Sequence, residues 1–247
     1  MVQHDGRARC LSPKEDSLLK MKIQVHGPLN FYGLLLSRAF SVLGGIVFKF
    51  GLSWFLYIKT GSALVLGSSL MFLSLPEFMA PVMGTLADRH SKRTILLMTN
   101  GLSAITVLGL VLIMSTAPST LLLAIYSGAF FLGVLDVLDW PAFQAIFPVM
   151  LPKHQLVQAN SLWHGLEALI VILSPVLAGL LIAFSLTLTL WVIALSYFCS
   201  LLVLLVIRLP NTETAKKSAS WHSDLGAGWS YIWSNREIRG VLGISIV

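Results

Sequence analysis

Charge is what this chain has least of. Asp, Glu, Lys and Arg make up 11% of its 247 residues while apolar side chains make up 56%, against roughly a quarter charged in ordinary soluble domains. So little charge cannot coat a water-facing globule, and the composition places the chain in a lipid bilayer. Cysteine is scarcer still: Cys10 lies in a polar N-terminal stretch and Cys199 in a late apolar run, so both are read as unpaired thiols rather than a disulfide framework. A secretory leader needs a short apolar core behind a basic start, but residues 1–28 are polar throughout and are expected to remain as a tail. A G-x-x-x-x-G-K-[ST] loop is missing and the inner loops are short, which argues against the membrane half of an ATP-driven exporter. An intramembrane protease is disfavoured as well, because the YSGAF stretch around Ser127 lacks the flanking Gly expected of such a nucleophile and Asp136 and Asp139 share one helix end. The net charge of +6 comes with no basic, aromatic-interleaved module, so nucleic acid is not an expected partner. No catalytic set, cofactor or metal site is expected.

What the chain does have is long apolar runs. A hydrocarbon core of about 30 Å takes roughly 20 helical residues. Segments 31–58, 63–86, 95–116 and 119–140 meet that length, and 162–207 is long enough for two crossings, with its turn expected in FSLTLT, Phe184 to Thr189. The fold class is therefore an all-α membrane protein of six spans.

Orientation follows from Lys and Arg in the connections. With the N-terminus inside, the tail, the second loop (Arg89, Lys92, Arg93), Lys153 and the region after span six hold fourteen of the seventeen cations in the cytoplasm. Lys59 alone falls outside, and Arg38 and Lys49 lie within span one.

The densest polar knot is the hairpin between spans two and three, GTLADRHSKRT, Gly84 to Thr94. A bare positive-inside loop needs neither its Gly nor its Asp. Gly84, Leu86, Ala87, Asp88, Arg89, Lys92 and Arg93 match in order the G-x-L-A-D-R-x-x-[RK]-[RK] signature between spans two and three of the major facilitator superfamily. The stretch from Pro141 to Leu162 and the outer turn from Lys59 to Gly67 resemble the exporter branch of that superfamily that includes macrolide efflux proteins and the enterobactin exporter. Ser91 stands where the family often has Gly, and the antiporter pattern of span five survives only as SPVLAG, Ser174 to Gly179.

The resemblance implies the N-terminal half of a twelve-helix transporter, a bundle built as an inverted three-plus-three repeat, with no enzymatic activity. It implies that Asp88 and Arg89 latch the cytoplasmic side of the outward-facing state across the two halves. On physical grounds Gly84 would let another helix approach closely, and Asp88 would accept from exposed backbone N–H groups or pair with Arg89. No convincing similarity between spans one to three and four to six is detectable in the sequence.

Ionisable residues inside spans are expensive and normally face a protein interior or a water-filled cavity. Arg38 and Lys49 lie in span one, Glu77 in span two, Asp136 and Asp139 in span four and Glu167 in span five, while spans three and six carry none. Spans one, two, four and five are therefore expected to surround an aqueous cavity, with three and six as a lipid-facing scaffold. Arg38 is expected to cluster with Glu77 or Asp136, one of these acids exchanging the coupling proton, or Glu77 serving only as a structural partner of Arg38. Glu167 is a further cavity candidate that also reads as structural. Asp139, beside Trp140 and Pro141, reads as solvated at the inner interface, Lys49 as snorkelling outward, and His164 as interfacial rather than a proton relay. Pro76, Pro81 and Pro175 read as kinks.

The expected organisation is a cytoplasmic tail over 1–28 and a bundle over 29–208. A linker over 209–240 follows, with an amphipathic helix through Trp221, Trp229 and Trp233, and then the start of a truncated seventh span over 241–247. The functional expectation is proton-coupled efflux of amphiphilic small molecules, drug, macrolide or siderophore, in a cell membrane. The alternatives are a transporter or importer of lipid-like solutes and a non-transporting six-span protein. Expected partners are the bilayer, the substrate, protons and a missing C-terminal bundle.

Overall fold

The protein's structure, a computed structural model, describes residues 28–116 and 120–210. The expected tail up to residue 27, the linker from 211 onward with its amphipathic helix, and the start of a seventh span lie outside the described residues. Among the described residues the regular structure is helical: α1 Pro28–Thr60, α2 Ala63–Ser74, α3 Ala80–Arg89, α4 Lys92–Thr116, α5 Leu121–Ile146, α6 Leu156–Phe184 and α7 Leu186–Val206. With α2 and α3 taken together they give six segments long and apolar enough to cross a membrane.

Proline chemistry sets the break inside span two. Pro76 and Pro81 carry no backbone N–H, so two donors of the α-helical ladder are absent five residues apart, and Leu75–Met79 tightens into a 3-10 turn. Pro141 and Pro175 leave their helices continuous. Span four consequently runs on to Ile146, past its expected inner end at residue 140, because Ala142, Phe143 and Ile146 are buried and hold the helix through the proline. The turns after α1 and α6 are tight. Gly61 ends α1 with φ of 64°, a left-handed geometry that costs a residue without Cβ nothing, and its N–H bonds the Tyr57 carbonyl at 2.8 Å. Ser185 alone separates α6 from α7, inside the expected turn, and its hydroxyl caps α7 by accepting from the Leu188 N–H at 3.0 Å.

The helices pack in a repeating pattern. α1 packs against α7 and α6, α5 packs against α4 and against α2 and α3, and α4 packs against α7. Exchanging the first three spans with the last three turns each of these pairings into another of them, and the α4–α7 pairing into itself, as a three-plus-three repeat requires.

The core has three layers. One apolar cluster includes Phe48, Leu52, Val107, Leu132 and Ile193, toward the ends where α1 gives way to α2 and α6 to α7. A second includes Leu34, Ile95, Phe143, Ile146, Trp163 and Leu204, toward the opposite ends. Between them lies a buried polar belt: Ser37 and Arg38 from α1, Thr99, Asn100 and Ser103 from α4, Asp139 from α5, and Ser196 and Ser200 from α7. Spans two and five are the least covered, with 11% and 22% of their most apolar stretches buried against 39% or more in the other four.

Candidate functional site

The site begins with the cost of a guanidinium in the middle of an apolar bundle. Arg38 is 6% exposed and needs a partner at that depth. Its partner is Asp139: Nη1 of Arg38 donates to Oδ2 of Asp139, itself buried. The other carboxylate oxygen accepts from Thr99 Oγ1 at 2.5 Å and from Asn100 Nδ2 at 3.3 Å. Asn100 then accepts from Ser200 at 2.8 Å, and the Ser200 and Ser37 hydroxyls lie 2.9 Å apart. One chain of polar contacts therefore ties α1, α4, α5 and α7 together. The guanidinium also lies 5.2 Å from the Trp140 ring centroid and 5.4 Å from that of Phe143, cation–π distances.

Beside this cluster opens a cavity of about 360 Å³. Arg38, Lys49, Glu77, Asp136 and Glu167 all line it, with apolar wall from residues such as Ile46, Leu73, Leu132 and Val171. The four expected cavity charges, Arg38, Glu77, Asp136 and Glu167, are thus brought around one space by spans one, two, four and five. Asp136 reaches it with a 76% exposed side chain, its carboxylate 3.8 Å from Arg38 Nη2. Glu167 lies 3.2 Å from His164 on the same helix. Among the described residues Glu77 makes no ion pair.

Several expectations are corrected here. Asp139 is not solvated at an interface: it is buried, on a helix that continues beyond Pro141, with its carboxylate on Arg38. Arg38 pairs with Asp139 and with the expected Asp136, and not with Glu77, which lies on the 3-10 turn. Lys49 does not snorkel to the outer interface but is half-buried in the cavity wall. Spans three and six are more than a lipid-facing scaffold, since Thr99, Asn100 and Ser200 complete the shell of the ion pair and Tyr197 of α7 lines the cavity. Polar pairs inside apolar runs, Thr99 with Asn100 and Ser196 with Ser200 one turn apart, are the signal that points to these residues.

The hairpin motif is organised around Lys92. Its stem is buried and its ammonium donates to the Ala87 carbonyl at the C-terminus of α3 and to Asp88 Oδ1 at 3.2 Å. A cation on the last carbonyls of a helix satisfies an orphan acceptor and complements the dipole. Asp88, 71% exposed, thus pairs with Lys92. Arg89 and Arg93 are half-buried beside it. Gly84 has nothing within 4 Å of the place a Cβ would take, so no described helix makes the close approach expected there.

Six helices long and apolar enough to cross a membrane, with a charged cavity between them, make this a multi-pass membrane protein. The chain belongs to the Major Facilitator Superfamily, whose family model matches residues 34–247. Macrolide efflux protein A of Streptococcus pyogenes is 27% identical over 156 residues, 62% of this chain and 38% of that protein. Macrolide efflux protein A of Enterococcus faecalis is 27% identical over 61% of this chain and 47% of its own length. The enterobactin exporter EntS of Salmonella choleraesuis is 30% identical over 51% of this chain and 29% of its own length. The chain therefore matches less than half the length of these relatives. No solved structure gives a significant match.

Proposed function

We propose that this chain forms the N-terminal half of a proton-coupled exporter of amphiphilic small molecules, of the macrolide or siderophore kind, set in a cell membrane with its N-terminus in the cytoplasm. The observation that carries the reading is the cavity, in which charge from four spans meets apolar wall. Such a lining suits a solute with both an oily body and a polar group. The names of the relatives support efflux, and fourteen of seventeen cations on one side support the orientation.

A second six-helix bundle is the proposed partner. Spans two and five leave large apolar side chains uncovered, including Leu64, Met71 and Phe78 on one and Leu169, Ile172 and Val176 on the other. The bundle has no described element over those faces, and Gly84 on α3 leaves space for a close neighbour. The motif of Gly84, Asp88, Arg89, Lys92 and Arg93 would then latch the two halves on the cytoplasmic side. Asp136 is the carboxylate best placed to exchange a proton, being open to the cavity and loosely held by Arg38, with Glu77 and Glu167 as the alternatives.

The test is efflux of a macrolide from a host stripped of its own pumps, expressing the full transporter that contains this chain. Export that stops on adding a proton uncoupler is the expected result. Export indifferent to the uncoupler would remove the coupling, and no export of any amphiphile would remove the reading.

A further inference from the structure

The cavity wall carries five charges, but they do not count equally. Asp139 is buried behind the wall and does not line the cavity, yet it takes up the Arg38 guanidinium, and Thr99 and Asn100 fix that carboxylate in place. Arg38 also lies within cation–π distance of the stacked Trp140 and Phe143 rings. Its positive charge is therefore cancelled before it reaches a solute. What remains facing the space is one cation, Lys49, against the carboxylates of Glu77, Asp136 and Glu167.

We infer that Asp139 is a specificity-determining positioning residue: by neutralising Arg38 from behind, it leaves the cavity wall acidic and selective for amphiphilic cations over anions. Two unit charges a few Å apart interact by several kcal/mol at intermediate dielectric, far more than in water, so one unmasked guanidinium is enough to weaken a preference of this kind measurably. Without Asp139, Arg38 has Asp136 within reach at 3.8 Å. That carboxylate would be withdrawn from the solute, and Glu77 and Glu167 would be left facing Lys49. The inference rests on the efflux reading and adds the sign of the solute to it.

The experiment uses the full transporter in pump-deficient cells and two dyes with the same ring system, rhodamine 6G as the cation and carboxyfluorescein as the anion. The wild type is expected to export the cation in preference. In Asp139→Asn the cation-to-anion ratio should fall at least about tenfold, a lower bound for one unit charge near the solute. In the double variant Arg38→Gln with Asp139→Asn, both charges are gone and the preference for the cation should persist. A folded Asp139→Asn protein with the wild-type ratio, or a double variant that loses the preference as the single one does, overturns the inference. Should Asp139→Asn fail to reach the membrane, Asp136→Asn replaces it: a lowered ratio is expected, and an unchanged one is fatal. Export of the anion in preference by the wild type refutes the inference while leaving efflux intact. Export of neither dye, nor of a macrolide, refutes the efflux reading itself.

Discussion

Gly133 of α5 lies directly against the backbone carbonyl of Leu73 in α2, so that a Cβ at residue 133 would strike that oxygen and also reach within 3.0 Å of Pro76. Both obstacles are backbone or a rigid ring, and neither can turn aside. Gly133→Ala is therefore expected to destabilise the bundle, by roughly 1–3 kcal/mol as for overpacked cores, although Ala is the better helix former. A thermal unfolding curve of the detergent-solubilised protein reads this out, and an unchanged midpoint would show that the two helices are not in contact there.

Gly84 predicts the reverse on stability. Nothing lies near its missing Cβ, so Gly84→Ala keeps every contact of this bundle and gains about 0.5–1 kcal/mol from helix propensity. If a second bundle docks over α3, the same change should slow transport by the full protein. Faster or equal transport with a raised melting point would separate Gly84 from the proposed latch.

Lys92 and Asp88 should part company when each is replaced. Lys92→Met takes the ammonium off the Ala87 carbonyl at the end of α3 and leaves it only the long bond from the His90 N–H at 3.4 Å, a loss of roughly 1–3 kcal/mol for a buried bond from a charged group. Asp88→Asn removes only the exposed half of an ion pair, which is worth about 1 kcal/mol or less. Melting points of the two variants check the stability difference. Transport by full-length Asp88→Asn then isolates the latch, which predicts a clear loss there despite near-native stability.

The buried pair itself gives an asymmetric expectation. Arg38→Leu strands Asp139 with its charge uncompensated and should cost about 3–5 kcal/mol. Adding Asp139→Leu to the same protein should recover most of that loss, since two apolar residues of similar bulk fit between two apolar clusters. Double-mutant unfolding energies measure the coupling, and additive losses would show that the two side chains do not meet.

Much of this architecture is legible in the sequence because the bilayer imposes a simple rule. A span needs length and apolarity, and both are countable, so six crossings and the turn at Ser185 follow without a structure. The set of cavity charges is legible for the same reason: Arg38, Glu77, Asp136 and Glu167 stand out because a charge inside a span is costly wherever it points. Their pairing is not legible. Whether Asp139 or Asp136 meets Arg38 turns on whether Pro141 ends a helix, and that is settled by Phe143 and Ile146 packing against elements far away in the chain. Thr99, Asn100 and Ser200 escape notice because single hydroxyls and amides are unremarkable in apolar helices, and only their linkage, Thr99 and Asn100 on one carboxylate and Ser200 on Asn100, gives them weight. Lys49 misleads because a long stem can run either way along a helix, and the direction is a tertiary choice.

The short 3-10 turn at Leu75–Met79 has a mechanical consequence. A straight rod through the bilayer must carry any tilt at one face to the other, so movement at the Arg89 end would drag the Ala63 end with it. Two stiff arms joined where Pro76 and Pro81 remove the ladder's rungs are free of that obligation. The arm bearing Gly84 and Asp88 and the arm wedged against Gly133 meet at that break and not along one continuous ladder.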